Sequence, residues 1–388
     1  MSEKAKIRIG VIGAGGRGLI SRYAVEPGVG GEITALCDVD SSAFERYRDI
    51  VSSSVFTCSD YRELLARQDV DAVFVTSPDF LHEEQAVAAL RAGKHVYLEK
   101  PMAITISGCD RILQTACETG RKLYLGHNMR HMAFVQKMKQ LVDDGAIGEV
   151  KAIWCRHFIA YGGDAYFKDW HADRTKSLGL LLQKAAHDID VMHWIGGGYT
   201  TRVAGQGALT LYDKIKDRHA ASERGDATFR QENWPPLSQR QMNPVMDVED
   251  VSHLLMQFDN GVLATYQQCH FTPDAWRNYV VIGTQGRIEN LGEEKVALWN
   301  HRTDYKPEGD EQFSCIPPGG SHGGADPKIV SEFVRYVRDG GTTLTSPLAA
   351  RNSVAAGYCG TQSIRNGGKP YDIPVPPADI VSYFANPR

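Results

Sequence analysis

The chain of 388 residues has no long apolar run, no closely paired cysteines and no strong excess of charge of either sign. Each absence bears on what the protein does. No stretch approaches the roughly 18–20 consecutive apolar residues that cross a bilayer as a helix, so no membrane partner is expected. A net charge of -4 and a pI near 6.4 give no electrostatic footprint for nucleic acid or an anionic lipid surface. The eight cysteines (Cys37, Cys58, Cys109, Cys117, Cys155, Cys269, Cys315 and Cys359) are scattered without a C-x-x-C pair. That favours reduced thiols in a reducing compartment over a disulfide framework. The first residues, MSEKAKIRIG, lack the apolar segment and small-residue cleavage site of a secretory signal. A cytoplasmic protein is the expectation.

What is present is ample core material. Hydrophobic residues make up 42% of a chain too long for one ordinary core, so two domains are expected. The stretch KIRIGVIG, Lys6 to Gly13, is β-branched and apolar, as a buried parallel strand requires. It runs directly into GAGGRG, which sets Gly13, Gly15 and Gly18 at G-x-G-x-x-G spacing ahead of a helix, LISRYAV. In that pattern the first glycine turns the chain and the second lets the backbone approach a pyrophosphate. The third packs the helix on the strand, and the N–H groups of the helix N-terminus face the phosphates. Gly16 and Arg17 sit inside the loop and join the cofactor-binding candidates.

A second strand, EITALCD, ends at Asp38, about twenty residues beyond the last glycine, where a carboxylate accepts from ribose hydroxyls. The same charge repels a 2′-phosphate, and the following VDSSAF holds no Arg or Lys to bind one. NAD is therefore expected in preference to NADP. The alternative role for Asp38 is a helix cap, for which Asp40 and Ser41 compete. The alternation then continues with VDAVFVTSP, HEEQAVAALRAG, KHVYLEKP, CDRILQTACETG and KLYLGHN, strand and helix by turns. This rhythm predicts a doubly wound parallel sheet of Rossmann type.

The run TSPDFLHEEQAVAALRAGKHVYLEKPMAIT, Thr76 to Thr105, resembles the signature of the Gfo/Idh/MocA oxidoreductases, above all in Glu99-Lys100-Pro101. GHNMRHMAFVQKMKQLVDDGAIGEV, Gly126 to Val150, is similar to the helix by which that family leaves its nucleotide domain. The likeness weakens between about Tyr199 and Gln241. It implies an α/β architecture. An N-terminal Rossmann domain over residues 1–126 would precede a substrate-binding and oligomerisation domain over 127–388, built on a large, open-faced, mostly antiparallel sheet. The strands EVKAIWCRHFI, VSHLLMQF, GVLATYQQCHF, NYVVIGT and GRIENL agree, with Asp259-Asn260-Gly261 as a hairpin signal. An open sheet face needs a cover, and a homodimer or homotetramer is expected. The resemblance also implies cofactor contacts from Ser77, Pro78, His82, Glu99, Lys100 and Asn128.

Oxidising an alcohol needs a group to take the hydroxyl proton as hydride leaves. The resemblance assigns that work to Lys100 and to His187, the latter in GLLLQKAAHDIDVMHW, Gly179 to Trp194. The chain departs from the family pattern here. Gln183 stands where inositol-dehydrogenase-type relatives carry an aspartate, and Gln can bond a sugar hydroxyl but cannot hold a proton. Lys184, three residues before His187, either enters the pocket or pairs with Asp188 at i, i+4. Arg130, Tyr161, Trp170, His171 and His322 complete the substrate candidates. The loop HFIAYGGDAYFKDWH, His157 to His171, has the aromatic and polar mix that holds sugar rings.

No metal is expected. His187 and His193 do not share a helix face, and His127 and His131 lack the H-E-x-x-H context. The leading expectation is an NAD-dependent dehydrogenase of a secondary alcohol on a sugar, cyclitol or glycoside. The alternatives are a redox-neutral enzyme that cleaves glycosides by oxidation, elimination and reduction, and an inactive NAD-binding regulator. Retention of both Lys100 and His187 speaks against the regulator.

Overall fold

The computed structural model describes residues 5–223, 225–316, 319 and 321–385. Six strands form the first sheet: β1 (Ile7–Ile12), β2 (Gly31–Cys37), β3 (Phe56–Cys58), β4 (Ala72–Val75), β5 (His95–Leu98) and β6 (Leu123–Leu125). Their order is β3-β2-β1-β4-β5-β6, and every neighbouring pair is parallel. This is the doubly wound arrangement expected from the alternating pattern. All four residues of β4 are buried, as a strand covered on both faces must be. The crossover helix Ile106–Thr119 starts on Thr105, whose hydroxyl accepts from Gly108 N at 3.0 Å, and ends at Gly120 in the left-handed region, φ 62°.

Nine strands form the second sheet: β7 (Val150–Phe158), β8 (Thr200–Ala208), β9 (Val251–Phe258), β10 (Leu263–Cys269), β11 (Trp276–Gly283), β12 (Arg287–Asn290), β13 (Lys295–Trp299), β14 (Glu311–Ser314) and β15 (Tyr371–Asp372). They lie in the order β14-β13-β12-β11-β7-β10-β9-β8-β15. β7 and β10 run parallel, and the other neighbouring pairs are antiparallel. Asp259-Asn260-Gly261 does join β9 to β10, with Gly261 at φ 85° as the turn requires. β9 alternates strictly: Ser252, Leu254, Met256 and Phe258 point inward. On its other face Leu255 stands one strand away from Trp154 across Thr265, and both are exposed, as is Leu263. The helix Leu180–Gly196 covers the inner face, where Gly196 admits Ile153 and Phe258 within 3.1 Å of a would-be Cβ.

The chain divides into two compact units that are not contiguous in sequence. Of the described residues, the first holds 5–132, 319–351 and 375–385, and the second holds 133–316 and 352–374. From sequence the division falls once, at 126/127. The returning helix Ser321–Asp339 explains the difference, because Ile329, Val330, Phe333, Val334 and Val337 are buried in the first unit's core. Phe333 meets Phe74 edge-on at 5.3 Å and Tyr97 at 5.6 Å. Truncating such a ring typically costs about 3–5 kcal/mol, so the first unit depends on residues from the last fifth of the chain.

Candidate active site

The glycine loop separates glycines that must be glycine for packing from glycines that leave room. A Cβ on Gly13, which stands at φ 83°, would meet Ser77 N at 2.6 Å, and one on Gly18 would meet Gly13 O at 2.4 Å. At Gly15 and Gly16 the nearest atoms are Asp38 Oδ2 at 3.7 Å and Arg46 Nη1 at 4.0 Å. That leaves a cradle lined by backbone, with a carboxylate on one side, which fits a dinucleotide. The residues after Gly16, Arg17–Val25, wind as a 3-10 helix. Asp38 does not cap the next helical segment. Asp40 does so, its Oδ1 accepting from Ser42 N at 3.0 Å, while Asp38 Oδ1 accepts only the short-range N–H of Asp40 among the bonds described. Arg46, two residues past VDSSAF, is a cation that the sequence window missed.

At the carboxyl end of β5 the signature residues enter one polar network with the loop. Arg17 donates from Nε to Glu99 Oε1 at 2.6 Å and grips Asp326 with both terminal nitrogens, at 2.8 and 3.2 Å. Glu99 also accepts from Tyr97 OH at 3.2 Å and from Lys100 N at 3.1 Å. Asn128 Nδ2 donates to Asp326 Oδ1 at 3.0 Å, and His322 Nδ1 lies 2.8 Å from Asp326 Oδ2. Burial opposes ionisation of Asp326, but the bonds from His322 and Arg17 hold its carboxyl well below the usual carboxylate range. Burial alone would favour the neutral form of Arg17, yet Glu99 and Asp326 keep it charged. Lys100 itself is half-buried beside this network.

Other residues expected at the cofactor are placed as follows. Ser77 Oγ donates to Gln85 Oε1 at 2.5 Å. The buried His82 ring lies between the Pro101 carbonyl, 2.7 Å from Nδ1, and the Ser77 carbonyl, 2.9 Å from Nε2. It ties the lysine-bearing turn to the tip of β4, where the Pro78 carbonyl accepts from the Leu81 N–H. Arg130 is buried and donates to the Leu344 carbonyl at 2.9 Å. Among the described residues no group of three or more His, Cys, Asp or Glu is arranged to hold a metal ion.

In the second unit the helix Leu180–Gly196 carries Gln183, Lys184, His187 and Asp188. His187 and Lys184 are half-buried, and Gln183 is buried. Lys184 Nζ lies 4.2 Å from the centre of the Tyr166 ring and 5.8 Å from that of Tyr161. Trp170 stacks on His171 at 3.7 Å, His171 Nδ1 is 2.5 Å from Asp169 Oδ1, and Tyr166 meets His171 edge-on at 5.1 Å. Asp188 points the other way, into the sheet, and is fully buried. Arg277 Nε lies 2.7 Å from its Oδ1, Tyr266 OH donates to Oδ2 at 3.0 Å, Tyr279 OH bonds Oδ1, and His157 Nδ1 lies 3.0 Å from Oδ2. Burial would raise the Asp188 pKa, but Arg277 and then His157 hold it far down. Burial, with Arg277, pushes the His157 imidazole down to about 4. So Lys184 is turned to an aromatic loop, and the residue after His187 is a structural anchor.

The family profile described as "Oxidoreductase family, NAD-binding Rossmann fold" matches residues 7–127, and that of the GFO/IDH/MocA C-terminal domain matches residues 135–289. The chain belongs to the Gfo/Idh/MocA family of oxidoreductases. It thus carries an NAD-binding Rossmann domain and is a dehydrogenase of that family. The YteT protein of Bacillus subtilis (strain 168) is 24% identical over 349 residues, covering 78% of this chain and 82% of YteT. The inositol 2-dehydrogenase/D-chiro-inositol 3-dehydrogenase of Halalkalibacterium halodurans is 33% identical over 191 residues, 49% of this chain and 52% of that protein. The chain therefore spans about half the length of that enzyme. Levoglucosan dehydrogenase in complex with NADH and L-sorbose shares the fold, with a TM-score of 0.78 at 18% identity over 95% of this chain and 99% of that one.

Proposed function

We propose that this Gfo/Idh/MocA protein oxidises a secondary alcohol on a sugar ring or cyclitol with NAD, Lys100 and His187 handling the hydroxyl proton. The observation that carries this reading is the placement of Lys100. It stands at the carboxyl end of β5, where open α/β sheets bind ligands. Its backbone is fixed by Glu99, which Arg17 of the glycine loop holds in turn. Bound NAD supplies the hydride acceptor. Lys100 orients the substrate hydroxyl by a hydrogen bond at Nζ, and the one proton that leaves the hydroxyl is accepted at a ring nitrogen of His187. Gln183, one turn before His187, bonds a neighbouring hydroxyl and leaves the reacting one to the other two. Tyr161, Trp170 and His171 supply the ring faces and polar edges for the sugar, and His322, beside Asp326, adds a further polar contact to it.

Two finer assignments belong to the same reading. Asp38, beside Gly15, favours NAD over a 2′-phosphorylated cofactor. The exposed rank of Leu255 and Trp154, with Leu263 nearby, is the surface through which two copies of the chain pair, removing apolar area from water. The test of the core reading is Lys100→Met. NAD binding should stay near that of the wild type while turnover falls about a hundredfold or more. Wild-type turnover in that variant removes Lys100 from the chemistry.

A further inference from the structure

The loop that covers Lys184 has a second side, and it lines a cavity. This space, of about 280 Å³, lies wholly within the second unit, against the irregular segment between β8 and β9. The volume is near the lower end of ligand pockets, roughly 300 Å³, and suits one ring-sized group. Its depth is polar. Asp164 is 2% exposed, accepting from Asn233, and Gln239 is 4% exposed with Oε1 lacking a hydrogen-bond partner among the described residues. Gly163 makes this possible, because a Cβ there would meet Gln239 Nε2 and Tyr212 OH at 2.8 Å. Its rim is aromatic. Phe229 and Trp234 line the cavity yet keep 56% and 47% of their surface in water.

Aromatic faces above buried planar amide and carboxylate groups form the pattern that binds a pyranose: C–H faces on the rings, hydroxyls on the amides. The cavity also adjoins the proposed chemistry. Ala160 and Asp164 line it, and Tyr161 and Tyr166, on the same loop, flank Lys184 Nζ, one helical turn from His187. We propose that this cavity is a subsite for a second sugar ring, so that the substrate is a disaccharide or larger glycoside, not a free monosaccharide or cyclitol. The proposal rests on the sugar-oxidising reading above and narrows its substrate class.

The test compares glucose with cellobiose, maltose and gentiobiose, and with the α- and β-phenyl glucosides, by kcat/KM and by calorimetric titration. Wild-type protein should favour at least one two-ring sugar over glucose. Trp234→Ala should reduce that preference about tenfold, the worth of one ring stack, and Phe229→Ala should reduce it in the same direction. Both side chains are half-exposed, so neither change threatens the core. A preference ratio unaltered in both variants, or no preference in the wild type, overturns the subsite. A preference for the phenyl glucosides alone overturns the assignment to a second sugar. If no sugar is oxidised but a disaccharide binds and Trp234→Ala abolishes that binding, the subsite stands and the oxidation reading fails. If neither oxidation nor disaccharide binding is found, both fall.

Discussion

Replacing Asp188 with asparagine removes a fully buried charge whose partner, Arg277, keeps 19% of its side chain exposed, and nothing else of comparable size. In the wild type the carboxylate faces the Arg277 guanidinium at 2.7 Å, two tyrosine hydroxyls and the His157 ring. The new side-chain amide would present two donors to a ring of donors, and Arg277 would keep an uncompensated charge. Breaking a buried pair by removing one partner costs about 3–5 kcal/mol. In a unit of this size each kcal/mol shifts the midpoint by about 2–4 °C, so the thermal transition should fall by about 6–20 °C. Differential scanning calorimetry of Asp188→Asn, Arg277→Met and the double variant supplies the check. The double variant should be less destabilised than the sum of the singles, by a coupling of about 0.5–3 kcal/mol, because it removes both charges of the pair. A midpoint lowered by less than about 2 °C, or strictly additive costs, refutes the claim that this pair anchors the helix of His187.

Two further outcomes follow from the same geometry. Asp38→Ala should narrow the preference for NAD over NADP, and Arg46, 4.0 Å from the open side of Gly16, should then carry the residual NADP binding. Asp38→Ala/Arg46→Ala should lose that NADP binding in a calorimetric titration, whereas an unchanged cofactor preference in the first variant removes Asp38 from the ribose site. Stability should also fall in mild acid. His157 and His95 are pushed down to about 4 by burial, so between about 6.5 and 4 the unfolded chain binds protons that the folded protein refuses. Their contribution is complete above about pH 6.5 and is lost as pH falls toward 4; equal urea midpoints at pH 7 and pH 5 would contradict this.

The parts of the fold that were legible in the sequence are those where local pattern and packing demand the same thing. Gly13 and Gly18 are forced by contacts under 3 Å, so their spacing carries real information, and β4 is apolar throughout because both its faces are covered. β8 carries no strand signal because Gly205 and Gly207 replace side chains, admitting Leu254 and Ile364 against the backbone. The network around Lys100 was legible only in part. Glu99 and Arg17 lie in motifs, but Asp326, the second carboxylate that Arg17 holds, stands 309 residues from Arg17, and nothing local marks it. Asp188 looked like a partner for Lys184 at helical spacing, yet its carboxylate is taken up by Arg277, 89 positions on in a strand. Long-range ion pairs of this kind depend on the assembled sheet. The division at 126/127 likewise missed that Phe333 completes the first core.

The central claim is that NAD takes hydride from a sugar or cyclitol alcohol while Lys100 and His187 handle the proton. The most direct measurement is the growth of NADH absorbance on adding NAD and a panel of inositols, monosaccharides and glycosides, with wild type and Lys100→Met side by side. The account requires NADH to accumulate with at least one member of the panel and the rate to fall about a hundredfold or more in Lys100→Met. Glycoside cleavage without NADH accumulation, or equal rates in the two proteins, would contradict it.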